Sequence, residues 1–196
     1  MTNGVDIGRR RFLTKSTAVV GAIGGAFAAV PFVMAWTPTA KAKALGAPIQ
    51  IDISKLEPGM RGTFEWRRKP VWVLRRTAET LKELPALDSQ LRDPHSNEDQ
   101  QPLYAKNEVR SIKPEYLVLI GLCTHLGCAP LYYKSDEPPT PGEDWKGGFF
   151  CPCHGSKFDL AGRVFEAVPA PLNMEVPPYR YVDDNTIIIG EDQGEA

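Results

Sequence analysis

Hydrophobic and polar positions divide this 196-residue chain into an apolar N-terminal run and a longer region of short alternating segments. The run, residues 17–36, contains no charged side chain. Its length is about what a helix needs to cross the roughly 30 Å hydrocarbon core of a bilayer. It also has no polar face, which argues against a helix buried in a soluble core. The pattern therefore predicts one transmembrane helix at 17–36.

Basic residues precede this run. They are Arg9, Arg10, Arg11 and Lys15. By the positive-inside rule they predict a cytoplasmic segment at 1–16 and an exported remainder. The twin arginines followed by Phe-Leu resemble the signal of the twin-arginine export pathway. Small residues around Lys41 and Lys43 would suit a cleavage site, but the run is longer than the roughly 7–15-residue core of a cleaved signal. Because it also ends in Trp36, a typical interfacial residue, we expect a retained anchor.

Residues 37–48 contain one large apolar side chain, Leu45, and predict a flexible hinge linker. A plain spacer would have the same composition. The remaining residues, 49–196, are numerous enough to bury a core without help from disulfides.

This region has the pattern of a small antiparallel β domain, with short β-rich segments separated by turn residues. The predicted strands and hairpins are 49–53 at a sheet edge, 62–66, 71–75, 116–122, 147–150, 158–165, and 179–182 with 186–189. Thr77 is expected to cap a short helix that ends at Leu84. The polar segment 87–102, with a solvated His95, predicts a surface loop.

Composition adds two constraints. The net charge of −1 gives no support to nucleic-acid binding. Of the four cysteines and three histidines, six fall within residues 123–128 and 151–154. Buried structural cysteines have no reason to be accompanied by histidines, so these two segments carry the candidate chemistry.

The first segment is Cys-Thr-His-Leu-Gly-Cys at 123–128, and the second is Cys-Pro-Cys-His-Gly-Ser at 151–156. Each must be a loop if its cysteine and histidine are to converge. Thiolate with imidazole selects zinc or an iron–sulfur centre. A Cys₂His₂ zinc site is possible, although six potential ligands exceed its needs. Two disulfides would leave both histidines unexplained, and catalytic Cys–His chemistry would need only one such pair.

Both segments resemble in full the signature of the Rieske proteins of quinol–cytochrome c reductases, and the resemblance extends from Tyr116 to about Pro178. It implies a mainly β fold: a small antiparallel β-sandwich Rieske domain with cluster-binding loops at one tip, plus one N-terminal transmembrane helix. It also implies one [2Fe–2S] cluster with one iron on two cysteines and the other on two histidines. The residues that it assigns to the cluster are Cys123, Cys151, His125, His154, Leu126 and Ser156. Cys128 and Cys153 would form a disulfide, which an exported location permits.

The function implied by this resemblance is electron transfer. The chain would take one electron from quinol, coupled to a proton accepted by His154, and pass it to a c-type cytochrome. Its partners would be the cytochrome b and c-type cytochrome subunits, quinol and membrane lipid, with no nucleic acid. The domain would lie in the periplasm, anchored by a single span in a bacterial inner membrane. The alternatives are the Rieske small subunit of arsenite oxidase and a zinc-binding structural module.

Three further features bear on this expectation. Ser156 matches a family serine that donates a hydrogen bond to the cluster, whereas Phe158 replaces a family tyrosine, which predicts a lower reduction potential. Pro169-Ala-Pro171 resembles the loop that covers the cluster, but Val168 precedes it where the family usually has glycine. The segment 129–150 includes an acidic, proline-rich stretch, and we interpret it as a bridge between the two loops.

Overall fold

The computed structural model describes Gly4, residues 6–134 and residues 145–192. The chain forms two compact units, Met1–Ala44 and Leu45–Ala196. The whole acidic, proline-rich stretch, residues 136–144, lies outside the described residues.

The first unit is dominated by helix α1, Ile7–Met34. It begins where the Asp6 carboxylate accepts hydrogen bonds from two backbone amides of the first turn, at 3.0 and 3.1 Å. The helix therefore starts well before residue 17, includes the twin arginines, continues past Pro31 and ends before Trp36. By length and composition it is able to cross a membrane.

A second helix, α2, occupies Ala40–Gly46, within the predicted linker. Its first turn is capped by Thr39, whose hydroxyl accepts a hydrogen bond from the amide of Ala42 at 3.1 Å. The Ala/Lys composition that permits a helix here therefore prevails over the nearby helix-breaking residues.

The second unit consists mainly of three antiparallel three-stranded sheets, which confirms the predicted mainly β fold. The strands are β1 (Ile49–Asp52), β2 (Arg61–Trp66), β3 (Lys69–Arg75), β4 (Tyr116–Ile120), β5 (Leu131–Tyr133), β6 (Gly148–Phe150), β7 (Lys157–Phe158), β8 (Tyr179–Tyr181) and β9 (Thr186–Ile189). The sheets have the orders β1-β9-β8, β2-β3-β4 and β5-β6-β7. β1 lies at a sheet edge, as predicted, while β5 was not predicted.

The core is built around β3 and β4, and every residue of Tyr116–Ile120 is buried. Burying a Val, Leu or Ile side chain contributes about 1.5–3 kcal/mol. Trp72 on β3 stacks on Phe149 of β6, with ring centroids 5.3 Å apart. This contact joins the second sheet to the third, and it is the third sheet whose connections carry the cysteine–histidine segments.

Between β3 and β4, helix α3 (Ala78–Glu83) begins at Thr77, whose hydroxyl accepts a hydrogen bond from the amide of Thr80 at 3.2 Å. This confirms the predicted cap. Two 3₁₀ turns, Leu84–Gln90 and Leu103–Ala105, complete the connection.

The prediction that 87–102 is a surface loop was wrong for part of the segment. Leu91 is buried and forms a β-bridge with Phe165, which is distant in sequence. Asp93 is also buried, and its carboxylate accepts hydrogen bonds from two backbone amides of the same segment, so its polarity is satisfied internally. His95 is exposed, as predicted.

Candidate metal centre

The first cysteine–histidine segment is a closed loop between β4 and β5. The amide of Gly127 donates to the carbonyl of Cys123 at 2.9 Å, and the amide of Cys123 donates to the carbonyl of Cys128 at 2.8 Å. Gly127 has φ +77°, a left-handed conformation that glycine adopts without steric cost.

The second segment, between β6 and β7, repeats this geometry. The amide of Gly155 donates to the carbonyl of Cys151 at 2.9 Å, and the amide of Cys151 donates to the carbonyl of Ser156 at 2.8 Å. Gly155 has φ +76°. The two loops therefore share one geometry and lead into β5 and β7, the strands on either side of β6. Each presents a cysteine at its base and a histidine beyond it.

The two base cysteines are buried and remain free thiols. Cys123 is 3% exposed and Cys151 is 2% exposed. Burial raises the pKa of the Cys123 thiol, while hydrogen bonds from the His125 amide and the Ser156 hydroxyl act in the opposite direction. A metal bound here would reverse the balance, because thiolate is the form that coordinates metal.

The histidines lie together on the outer side. The ring centroids of His125 and His154 are 4.8 Å apart and the rings are nearly perpendicular. His125 is half-buried and His154 is exposed. Leu126, in the first loop, has 70% of its surface exposed.

The remaining cysteines, Cys128 and Cys153, form a disulfide with their Cα atoms 6.7 Å apart. The disulfide ties one loop to the other and removes these residues from the pool of metal ligands. The Cys151 sulfur lies within 4.8 Å of both disulfide sulfurs. Two thiols and two imidazoles remain.

A third segment, at 169–172, is hydrogen-bonded to both loops. The amide of Ala170, which is fully buried, donates to the Ser156 hydroxyl at 3.0 Å. The Thr124 hydroxyl donates to the carbonyl of Leu172 at 2.6 Å. Thr124 was not predicted as a functional residue, although its place directly after the first cysteine could have drawn attention to it.

Val168 stands where the family usually has glycine, but its backbone is not in the left-handed conformation that favours glycine. The left-handed residue in this turn is Ala167, with φ +56°. The carbonyl of Val168 accepts a hydrogen bond from the Arg92 guanidinium at 3.3 Å. Valine can therefore stand before the proline segment without a left-handed conformation of its own.

The turn that follows β7 is held by buried arginines, which the sequence did not predict. Arg163 is fully buried and pairs with the Asp159 carboxylate at 2.7 Å. Arg110 donates to the carbonyls of residues 161, 162 and 174, and Arg76 donates to the carbonyl of residue 160. Burial lowers the pKa of Arg76 and of Arg110 to about 10 each, so both stay charged at neutral pH. These contacts hold the turn at 159–163, which directly follows β7, the strand into which the second loop leads.

Two buried thiols beside two neighbouring imidazoles form a donor set that suits zinc or an iron–sulfur cluster. A protein-family model described as the Rieske [2Fe–2S] domain matches residues 83–180, a range that contains both loops. The chain belongs to the Rieske iron–sulfur protein family. Its cofactor is a [2Fe–2S] cluster, which decides against zinc.

The N-terminal region of this Rieske protein matches a second model, described as "Ubiquitinol-cytochrome C reductase Fe-S subunit TAT signal", over residues 1–39. This match confirms the predicted twin-arginine signal. Together with the apolar helix α1, it fits a membrane-anchored subunit with an exported Rieske domain.

Several curated relatives are similar to the Rieske chain along nearly its whole length, and each of the following is named ubiquinol–cytochrome c reductase iron–sulfur subunit. The relative from Allochromatium vinosum is 57% identical over 193 residues, which is 98% of this chain and 93% of the relative. The relative from Blastochloris viridis is 45% identical over 183 residues, 93% of this chain and 92% of the relative. The relative from Rhodospirillum rubrum is 42% identical over 190 residues, 96% and 95% of the two chains.

Proposed function

We propose that this chain is the electron-transfer subunit of a quinol–cytochrome c reductase, taking one electron from quinol and passing it to a c-type cytochrome. The observation that carries the proposal is the pairing of two buried thiols with two outward-lying imidazoles in disulfide-joined loops. It is supported by the relatives named above, which extend along almost all of the chain. They favour this role over the small subunit of arsenite oxidase.

Burial of the two thiols and exposure of the His154 ring support the ligand assignment that the family resemblance implies. Cys123 and Cys151 would hold one iron, and His125 and His154 the other. When bound, the [2Fe–2S] cluster supplies a one-electron acceptor whose potential is raised by the neutral imidazole ligands. Ser156 donates its hydroxyl hydrogen towards the Cys123 sulfur and thereby stabilises negative charge there.

His154 is the catalytic residue of this proposal. Its ring is exposed, so the nitrogen that does not bind iron can accept a hydrogen bond from a quinol hydroxyl and then receive its proton. Leu126 offers an exposed apolar surface on the neighbouring loop, suited to the quinol ring. Quinol would thus give up its proton and its electron at the same site, the exposed edge of the His154 ring.

The proposed partners are a cytochrome b subunit, a c-type cytochrome subunit, quinol and membrane lipid. The basic segment 1–16 would lie in the cytoplasm, 17–36 would span the bacterial inner membrane, and the Rieske domain at 49–196 would lie in the periplasm. Residues 37–48 would act as a hinge that lets this domain, the head, move between the two cytochromes.

The experiment is low-temperature electron paramagnetic resonance (EPR) of the reduced full chain, together with quinol-dependent cytochrome c reduction by the assembled complex. His154→Gln should abolish both the mixed-ligand spectrum and the activity. His95→Gln is the matched control, because His95 is exposed and lies outside both loops, and it should change neither. A parent protein that contains zinc and gives no signal would refute the proposal.

A further inference from the structure

Trp66 connects the head to the segment that leads into it. It is the last residue of β2 and is 5% exposed. Its indole N–H donates a hydrogen bond to the backbone carbonyl of Ala47 at 3.1 Å. Ala47 lies before β1, inside the segment 37–48 that composition predicts to be a linker.

The Trp66 indole ring packs against Gly190 and Arg67. Gly190 has φ +100°, and a Cβ atom at this position would lie 2.9 Å from the Trp66 ring, so glycine leaves the space that the ring fills. On the ring itself, the Arg67 guanidinium lies 4.4 Å from the centroid, a cation–π distance. Packing against Gly190 and Arg67 therefore helps to hold the indole N–H in the orientation that meets the Ala47 carbonyl.

We propose that Trp66 is a positioning residue that fixes the head-side end of the hinge at Ala47. This inference rests on the proposed function, in which the head moves relative to its anchor. With the hydrogen bond in place, Ala47 and Pro48 belong to the head, which then begins directly after helix α2 (Ala40–Gly46). Without it, the next fixed point is β1, where Ile49 pairs with Ile189. Release would add two residues to the hinge, a gain in reach of at most about 7 Å.

Two variants disrupt the hydrogen bond between Trp66 and Ala47 in different ways. Trp66→Phe keeps an aromatic ring at this position but removes the N–H donor. Gly190→Ala keeps the donor but places a methyl group against the ring and displaces it. Loss of one such hydrogen bond should increase the released fraction of Ala47 by roughly 2- to 13-fold.

Trp145→Phe is the matched control for loss of an indole N–H. The Trp145 ring is buried, and its N–H has no hydrogen-bond partner among the described residues. This variant should leave the Ala47 contact unchanged.

The measurement is EPR of a nitroxide label on Ala47→Cys in the full chain with its cluster, reconstituted in lipid nanodiscs. Labelling is selective, because the natural cysteines are cluster ligands or disulfide-bonded. The parent should show a restricted spectrum, and both Trp66→Phe and Gly190→Ala should enlarge the mobile component. A second label at Gln50→Cys, exposed on β1, should not respond.

Unchanged mobility at position 47 in Trp66→Phe would overturn the proposal. So would an equal rise in mobility at position 50, because β1 would then have come loose as a whole. The cluster spectrum of the same samples separates the two hypotheses. An intact cluster with an unresponsive label counts against the role of Trp66 alone, whereas a parent without a cluster counts against the proposed function.

Discussion

Replacing Phe158 by tyrosine would place a hydroxyl group beneath the second cluster loop, where the family pattern has a tyrosine. Phe158 is fully buried on β7 and pairs with Phe149 of β6. It lies two residues after Ser156, whose hydroxyl reaches the Cys123 sulfur. The family pattern has a hydrogen-bond donor at this position, so we expect the new hydroxyl to donate to a sulfur of the cluster site.

The size of the effect follows from the hydrogen bond that would form. A hydroxyl donor to a sulfur stabilises the more negative, reduced state of the cluster. A net contribution of about 0.5–1.5 kcal/mol corresponds to a one-electron potential higher by about 20–65 mV. If the hydroxyl found no partner in this buried position, it would instead destabilise the head by about 1–3 kcal/mol. For a domain of this size that is a fall in Tm of roughly 2–12 °C.

The assay is redox titration of the loaded protein followed by EPR, with a thermal melt of the same samples. Phe158→Tyr should raise the midpoint potential and leave Tm nearly unchanged. Phe165→Tyr is the control, because Phe165 packs in a separate small hydrophobic cluster and should not alter the potential. A potential that stays constant or falls in fully loaded Phe158→Tyr would refute the reasoning.

Three further predictions concern the cluster loops and the hinge. Thr124→Val removes the 2.6 Å hydrogen bond to the Leu172 carbonyl, which is part-buried, and should cost about 0.5–1.5 kcal/mol. A thermal melt would show this loss, and an unchanged Tm would mean that water replaces the hydroxyl. Replacing both Cys128 and Cys153 by serine opens a loop with a sequence separation of 25 and should lower stability by about 3.5 kcal/mol on the chain-entropy model. Denaturant titration would measure this change, and a loss below about 1 kcal/mol would contradict it. Stiffening the segment 37–48 with added prolines should slow turnover of the complex without altering the EPR spectrum of the cluster. Unchanged turnover would argue against the hinge.

The sequence by itself determined the chemistry of the centre and most of the strands. Both cysteine–histidine loops are short, continuous stretches, so their residue types and spacing are visible without a fold. The strands were readable for the same reason, since alternation of polar and apolar residues is a local property. Thr77 was identified as a cap because capping depends on the three residues that follow it. The disulfide between Cys128 and Cys153 was implied by the family pattern and is present in the structure.

Only the tertiary structure decided which distant residues support the centre. Thr124 reaches Leu172, and Arg163 donates a hydrogen bond to the carbonyl of Leu84 inside the core. The segment 87–102 has a polar sequence typical of a surface loop, yet part of it is buried against the turn that follows β7. The Trp66–Ala47 contact likewise joins residues that no local pattern connects. Such contacts depend on how the sheets pack, and packing satisfies buried polar groups with partners that local spacing does not encode.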